Sequence, residues 1–549
     1  MKSKMKVIRN PIVLFIYTLL MFDLIVGIAR LNPSNINWIA STQDVDYWQG
    51  YISWEQFRKT PWGLPLAENP RVGEELSGSI IHSGGIPLFE IPLKTINYFL
   101  PETFQYFGMW TLFCFLGQAI AGYKIAGLIF KSIVLRHMIA IALLFSPIFL
   151  VRINWHQGLI AQFLIVFALY LVFRNDTRMH FLYWSILLTC SFLVHGYIAV
   201  MTTLIFLASL FDSLIRNRIS FLVFTKGLFW CAPGVIISLW VSGYFMIGQS
   251  GLDSGWPNWL WKMDLLQPIN FAGWSHSLSW LRESQVGNLE GFAYLGIWPI
   301  ALFFISSLAN KGFLNPVLKN IKKYPSLSVL LLVFFLFSLS NKVTLGRKEI
   351  NYQIPKFIES YYGIFRASGR FFWPLYYLIV IAALYFVKNS IRERKIIVIL
   401  ALALTFHIVD TEIYWGKIST INKQVKIDEQ FVGLKDPRWK ELLDNRKSIL
   451  VIPITSQLPR IPACPYAQKI GYLAMQNNIS TNCVYLARYD VNKVQDYKKK
   501  LEQSLKDDTF KVESLYILTQ KEIERFEKGF IKRGITHEII DGLSVVYKD

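Results

Sequence analysis

Apolar runs of about 17–25 residues recur between residues 11 and 411, separated by polar connections. Coiled as a helix, one such run crosses a hydrocarbon layer of ~30 Å. Eleven segments fit this description, at about 11–30, 104–130, 136–152, 157–173, 180–195, 197–214, 221–247, 291–309, 325–341, 371–387 and 395–411. Beyond residue 411 the pattern changes. Short apolar runs, "SILVIPI" and "SLYILT", alternate with the helical patterns "DPRWKELLDN" and "QKEIERFEKGFIKRG", and the chain ends in the hairpin-like "HEIIDGLSVVYKD". The pattern predicts an α-helical polytopic membrane module over 1–411 and an α/β domain over 412–549.

Composition decides between this and a string of soluble domains, which a length of 549 residues would otherwise suggest. Hydrophobic residues make up 53% of the chain and charged residues 17%, against roughly 25% charged in soluble domains. The opening "MKSKMKVIRN" followed by "PIVLFIYTLLMFDLIVGIA" has the charge of a signal peptide. It is too long for one and lacks a small-residue cleavage site, so it reads as a retained anchor.

The net charge of +20 reads as membrane topology rather than nucleic-acid binding. The N-terminus (Lys2, Lys4, Lys6, Arg9) and the connections "KSIVLRH", "RNDTRMH", "IRNRIS", "KGFLNPVLKNIKKYP" and "KNSIRERK" each carry at least two Lys or Arg. That bias places them, and the N-terminus, on the cytoplasmic side. The loop 31–103, the turns near Asn154 and His195, the loops 248–290 and 342–370 and the tail are then extracytoplasmic. Cys114, Cys190 and Cys231 fall in spans, while Cys464 and Cys483 lie in the exported tail. An oxidising compartment favours a disulfide between the latter two, with two buried thiols as the alternative.

The unusual polar residues collect on the outer side. They are Asp44, Asp46 and His82 in the first loop; Arg152, Asn154 and His156 in "RINWHQG"; His195 in "VHGY"; Asp264, Asn270 and His276; Glu290 in "LEGFAYLG"; and Arg366 and Arg370 in "FRASGRFFWP". Ionisable groups at a membrane border are costly and tend to mark function. Interfacial anchoring explains any one of them, but less readily all of them together. "GGIPLFEIPLKTINYF" is apolar, broken by proline and too short to span. It is expected to lie along the interface, forming with the bundle a groove open to lipid and water. Arg366 and Arg370 are four apart, so on a helix they share a face and can grip a phosphate; snorkelling or a pair with Glu359 is the plainer reading.

A basic N-terminus, one span, a long outer loop with an early acid, a bundle and an outer soluble domain together resemble the GT-C superfamily of integral-membrane glycosyltransferases. "DYWQGYISWEQFRKTPW", "GIPLFEIPLK", "FQYFGMW", "EGFAYLG", "FRASGRFFWPLYY" and "TNCVYLAR" are more closely similar to a bacterial polytopic membrane family of unknown function. The resemblance implies a base at Asp46, counted back from Arg58, with Asp44 tuning it or binding sugar hydroxyls. This chain departs from the pattern at "IHSGGIPL", where Gly84 follows Ser83 and an acid is expected. That weakens any carboxylate-bound metal, with His82 as a neutral substitute; no cofactor is named and a divalent cation stays open.

The expected function is sugar transfer from a polyprenyl-phosphate donor to a surface glycan, such as O-antigen, or to a lipid-linked acceptor, on the periplasmic face of a bacterial inner membrane. Inverting chemistry needs one carboxylate to accept the acceptor's proton and cations to stabilise the departing phosphate. Arg366 and Arg370 would hold that phosphate. His82, Arg152, His156, His195, Glu290 and Trp274 would line the pocket, with Trp256 and Trp259 beside sugar rings. A transporter or flippase of lipid-linked saccharides and a polysaccharide polymerase are the alternatives. The first of these needs polar groups along a path through the bilayer, and the inward halves of the spans are almost charge-free.

Overall fold

The computed structural model describes residues 2–41, 45–76, 78–174, 180–247, 260–269, 273–277, 289–310, 312, 315–422, 434–453, 467–484, 486, 488, 490–507, 509, 511–530 and 534–548. They are mostly helical and form two compact units. One comprises Met1–Asn32, Tyr106–Ser238 and Pro257–Lys423; the other comprises Pro33–Gln105, Leu239–Trp256 and Gln424–Asp549.

In the first unit the sequence supplies a device at several helix boundaries. Helix Ile133–Leu144 starts at Ser132, whose hydroxyl accepts the Leu135 amide. Helix Gly196–Ile215 starts at His195, whose ring accepts the Tyr197 amide at 3.2 Å. Helices Pro325–Leu339 and Trp373–Ser390 carry proline in their first turn, where no amide is needed. The Asp212 carboxylate accepts the Ser326 and Leu327 amides, at 2.6 and 3.2 Å. Small residues allow close packing, as where Gly122 of helix Phe107–Ile129 meets Ala140 and Leu143.

Among the described residues, four helices are long and apolar enough to cross a membrane: Phe107–Ile129, Gly196–Ile215, Phe221–Val241 and Ser368–Ser390. Glu393–Asp410 and Glu412–Asn422, bent by 57°, make a fifth if they count as one span. Six shorter apolar helices, Asn10–Ile25, Ile133–Leu144, Gln157–Phe173, Phe181–Val194, Ile297–Ala309 and Pro325–Leu339, occupy other predicted positions. The helices are thus of unequal length. The run 136–152 shows why: the helix ends at Leu144, because Pro147 cannot continue a hydrogen-bond ladder, and a separate turn, Pro147–Leu150, follows. Large apolar side chains face outward, among them Phe229 (83% exposed), Leu308 (71%) and Leu402 (68%). A surface of that kind suits a bilayer rather than water.

The first unit also holds a hairpin of β1 (Lys342–Leu345) and β2 (Lys348–Asn351). Its turn is held by Asp264, whose carboxylate accepts the Gly346 amide at 3.0 Å.

The second unit is built on a five-stranded sheet of β3 (Ser448–Ile452), β4 (Ser480–Thr481), β5 (Ser514–Leu518), β6 (Ile535–Ile540) and β7 (Leu543–Lys548). The order is β4-β3-β5-β7-β6, with β3 parallel to β4 and β5, and β7 antiparallel to β5 and β6. β3 and β5 are buried throughout, as expected of central strands covered on both faces. Leu450, Ile452 and Tyr516 pack on one side with Leu501 and Leu505; Ile449, Val451 and Ile517 pack on the other with Ile470 and Ala474. The β6–β7 turn uses Asp541 and Gly542, both at positive φ (49° and 76°), which the twist of a tight hairpin requires.

The first loop belongs to this unit. Its helix Val45–Lys59 packs on helix Ala467–Gln476, with Trp48 stacked on Tyr472 at 5.1 Å and its indole donating to the Gln468 carbonyl. Gln56 donates to the Ile479 carbonyl, Gly73 donates to the Thr481 carbonyl, and Val72 bridges to Thr481 beside β4. Helix Pro87–Thr95 is followed by Tyr98 and Phe99, 92% and 81% exposed, as an interfacial segment requires.

His82 lies buried in this unit, edge-on to Tyr244. Burial, with the nearby Arg488 charge, pulls its imidazole down to about 3. The unfolded chain takes up that proton near 6.5, so stability is fully present above that pH and falls as pH drops toward 3. The expected loss is about 1.4 kcal/mol per pH unit in that window. Thermal unfolding of the detergent-solubilised chain at pH 7 and pH 5 should show it, and His82→Gln should flatten the profile; equal acid sensitivity in the variant refutes the assignment.

Candidate functional site

Glu290 organises one end of the helical unit. It stands in the turn Leu289–Gly291, ahead of helix Ile297–Ala309. Its Oε2 accepts from Arg152 Nη1 at 3.0 Å and from Arg370 Nε at 2.6 Å, and its Oε1 meets His156 Nε2 at 3.0 Å. Arg152 and His156 belong to the turn after Pro147–Leu150, and Arg370 to the turn Ser368–Phe372 that leads into helix Trp373–Ser390. Three distant stretches of chain therefore converge on one carboxylate.

Two glycines permit the approach. A Cβ on Gly369 would lie 2.6 Å from the Gly291 Cα, and a Cβ on Gly291 would collide with the Lys262 carbonyl, so the backbones of all three meet only because both positions are glycine. The Gly369 amide donates to the Trp261 carbonyl at 3.1 Å, fixing the second turn. Aromatic faces support the guanidiniums: Arg370 lies 4.6 Å from the Tyr197 ring and Arg152 lies 5.3 Å from the Trp373 ring. The Tyr197 hydroxyl accepts the Ala367 amide at 2.8 Å. His195, one residue before the helix that carries Tyr197, is thereby held at the same end. Burial pushes the Glu290 carboxyl up, but Arg152, Arg370 and His156 outweigh it and hold the group well below the usual carboxylate range. The cluster is one fixed anion against two guanidiniums and an imidazole.

Arg366 and Arg370 do not share a helix face. Helix Lys356–Ile364 ends before them, and Arg366 lies in an irregular stretch with its guanidinium 5.2 Å from the Trp261 ring. Arg370 is joined to Glu290 rather than Glu359. Trp274 is buried in a stack between Phe292 (5.0 Å) and Tyr414 (3.5 Å). Asp264 holds backbone amides, and His276 lies 4.0 Å from Glu412. Asp44, Trp256, Trp259, Asn270 and Cys464 lie outside the described residues. Cys483 is buried and disulfide-bonded. Among the described residues no group of three or more His, Cys, Asp or Glu is placed to hold a metal ion.

In the second unit, Asp46 stands half-buried in the first turn of helix Val45–Lys59. Gly84, at φ 86°, packs against the Asp46 backbone carbonyl and the Gly50 Cα. The position where an acid was expected is thus a neighbour of Asp46, held in a conformation that favours glycine. Next to it, the Ser53 and Ser83 hydroxyls share a hydrogen bond at 2.6 Å and Asn69 donates to the Ser53 carbonyl at 2.9 Å. Arg58 is buried, donating to the Pro101 and Glu102 carbonyls and pairing with Glu55 at 3.4 Å.

A family model described as a domain of unknown function, DUF6311, matches residues 15–412, and the model of its C-terminal domain matches 438–548. The chain belongs to the DUF6311 family. No curated protein matches it in sequence.

In this DUF6311 chain, one member of the polar network was not anticipated from sequence. Arg30 is fully buried, donating to Asn154 and Asn422 side chains at 3.1 Å each and to the Ile153 carbonyl at 3.2 Å. Its signal was an arginine closing the first apolar run, in "GIARLNP". Replacing Glu290 by Gln should leave two buried guanidiniums with a neutral partner and destabilise the unit by about 3–5 kcal/mol. A melting temperature equal to wild type in detergent would show that the carboxylate is not the electrostatic centre of this end.

Proposed function

We propose that this DUF6311 protein is a GT-C-like membrane glycosyltransferase that uses a polyprenyl-phosphate sugar. The observation that carries the proposal is the pair of guanidiniums of Arg152 and Arg370, with the His156 imidazole, around Glu290, and Arg366 four residues before Arg370, at the end of an apolar helical unit. A site built this way suits a ligand that is anionic at its head and greasy in its tail. A phosphate there can take hydrogen bonds from guanidinium groups whose other contacts fix their planes. In this reading all eleven apolar segments count as spans. The N-terminus is cytoplasmic and the cluster faces the periplasm of a bacterial inner membrane.

The roles follow from the chemistry. Asp46 accepts the proton of an acceptor hydroxyl on a surface glycan or lipid-linked saccharide. The oxygen attacks the anomeric carbon, the bond from that carbon to the phosphate oxygen breaks, and polyprenyl phosphate leaves with its extra charge stabilised by Arg366 and the Arg370 edge of the cluster. Glu290 acts as a positioning residue, fixing both buried guanidiniums before the donor arrives. An inverted anomeric centre results from the single displacement.

Asp46→Asn should lower transfer by about 10²–10⁴-fold at unchanged protein level and membrane insertion. Undiminished glycan from that variant removes Asp46 from the chemistry. Arg366→Ala should weaken donor binding, and a donor affinity equal to wild type removes the phosphate role. Comparing surface glycans by mass from cells with and without the gene supplies the readout.

A further inference from the structure

At the other end of the helical unit lies a cavity of about 340 Å³ that the proposed reaction does not use. Its volume is that of a small-ligand site. Its walls come from the last turns of helix Phe107–Ile129, the first half of helix Pro325–Leu339 and the stretch from Leu378 to Phe386 of helix Trp373–Ser390, including Leu128, Leu331, Leu378 and Ala382. They are mainly apolar. The charged residue of the lining is Lys323, which with Tyr324 joins helix Asn315–Lys323 to the next.

Two positive charges lie over one ring at that place. Lys323 Nζ lies 5.0 Å from the Tyr324 ring centroid, and the Arg216 guanidinium lies 5.5 Å from the same centroid. Among the described residues, neither cation has a carboxylate within ion-pair distance. Asp212, one helical turn before Arg216, directs both oxygens to the Ser326 and Leu327 amides. Lys319 and Lys322 stand exposed on the short basic helix beside them. Two cations sharing one aromatic ring repel each other, and an anion between them would relieve that repulsion.

We propose that this is a binding site for an anionic phospholipid, with an acyl chain in the cavity and the phosphate held by Arg216 and Lys323. In a bilayer the chain gains little from leaving other chains, so the apolar walls give fit while the two cations give affinity. Basic pockets between helices on the cytoplasmic side take anionic headgroups for the same reason. The sequence bias that puts Arg216 and Lys323 in cytoplasmic connections agrees with this choice of occupant.

Native mass spectrometry of the full-length protein, re-equilibrated in micelles with phosphatidylglycerol, phosphatidylethanolamine or a polyprenyl phosphate, tests it. Phosphatidylglycerol should form a one-to-one complex at least tenfold more readily than phosphatidylethanolamine. Arg216→Gln with Lys323→Gln should erase that preference, and Ala382→Phe should reduce binding by filling the cavity; gel filtration and melting temperature show that each variant is folded. If the double variant does not fold, Lys323→Gln alone should still narrow the preference. Equal retention of the zwitterionic lipid, phosphatidylglycerol binding unchanged in the folded variants, or its displacement by equimolar polyprenyl phosphate overturns the proposal.

Discussion

The helical unit is held at one end by a single carboxylate. Glu290 is the point at which the turn carrying Arg152 and His156 and the turn carrying Arg370 meet, and each arrives from a different helix. In a setting of low effective dielectric, an unpaired guanidinium is far more costly than in water. These turns therefore cannot drift apart independently. The face of Tyr197 extends the restraint to helix Gly196–Ile215, and that of Trp373 ties Arg152 to the helix that follows Arg370. Gly291 and Gly369 set its geometry, since a side chain on Gly369 would collide with the facing glycine.

Much of this was legible in the sequence, for identifiable reasons. Helix positions follow from runs of apolar residues, and the strands of the tail follow from "SILVI" and "SLYIL", whose burial is total. The outer polar residues were singled out because charge at a membrane border is expensive. Their pairing was not visible. Arg370 and Glu290 are 80 residues apart, and nothing local says that one completes the other. The notion that Arg366 and Arg370 share a helix face failed because helix propensity around "FRASGRFF" yields to the packing of Gly369 against Gly291. Helix ends are not legible where a proline divides an apolar run without altering its hydropathy, as at Pro147.

The glycine at position 84 is another case where sequence raised the question and geometry changed its meaning. Read as a departure from a pattern, it removed a carboxylate. In the structure it allows the loop to turn at positive φ directly against the backbone of Asp46. The serine before it joins a small hydrogen-bonded group with Ser53 and Asn69. What packs against the Asp46 backbone is therefore a glycine, followed on the chain by no added charge and preceded by a serine in a group of neutral hydroxyls and an amide.

The interlocking of the first loop with the tail bears on how the chain is made. Val72 and Thr481 pair although more than 400 residues separate them, as do Gln56 and Ile479. A ribosome finishes the loop long before it begins the tail, so Trp48 and Gln56 wait without their partners while the helices between are synthesised. Closing so long an intervening segment is entropically tolerable because it is already ordered by its own helices. Assembly of the second unit is in consequence a late, post-insertional event, and a chain truncated before the tail would leave the loop's aromatic face uncovered.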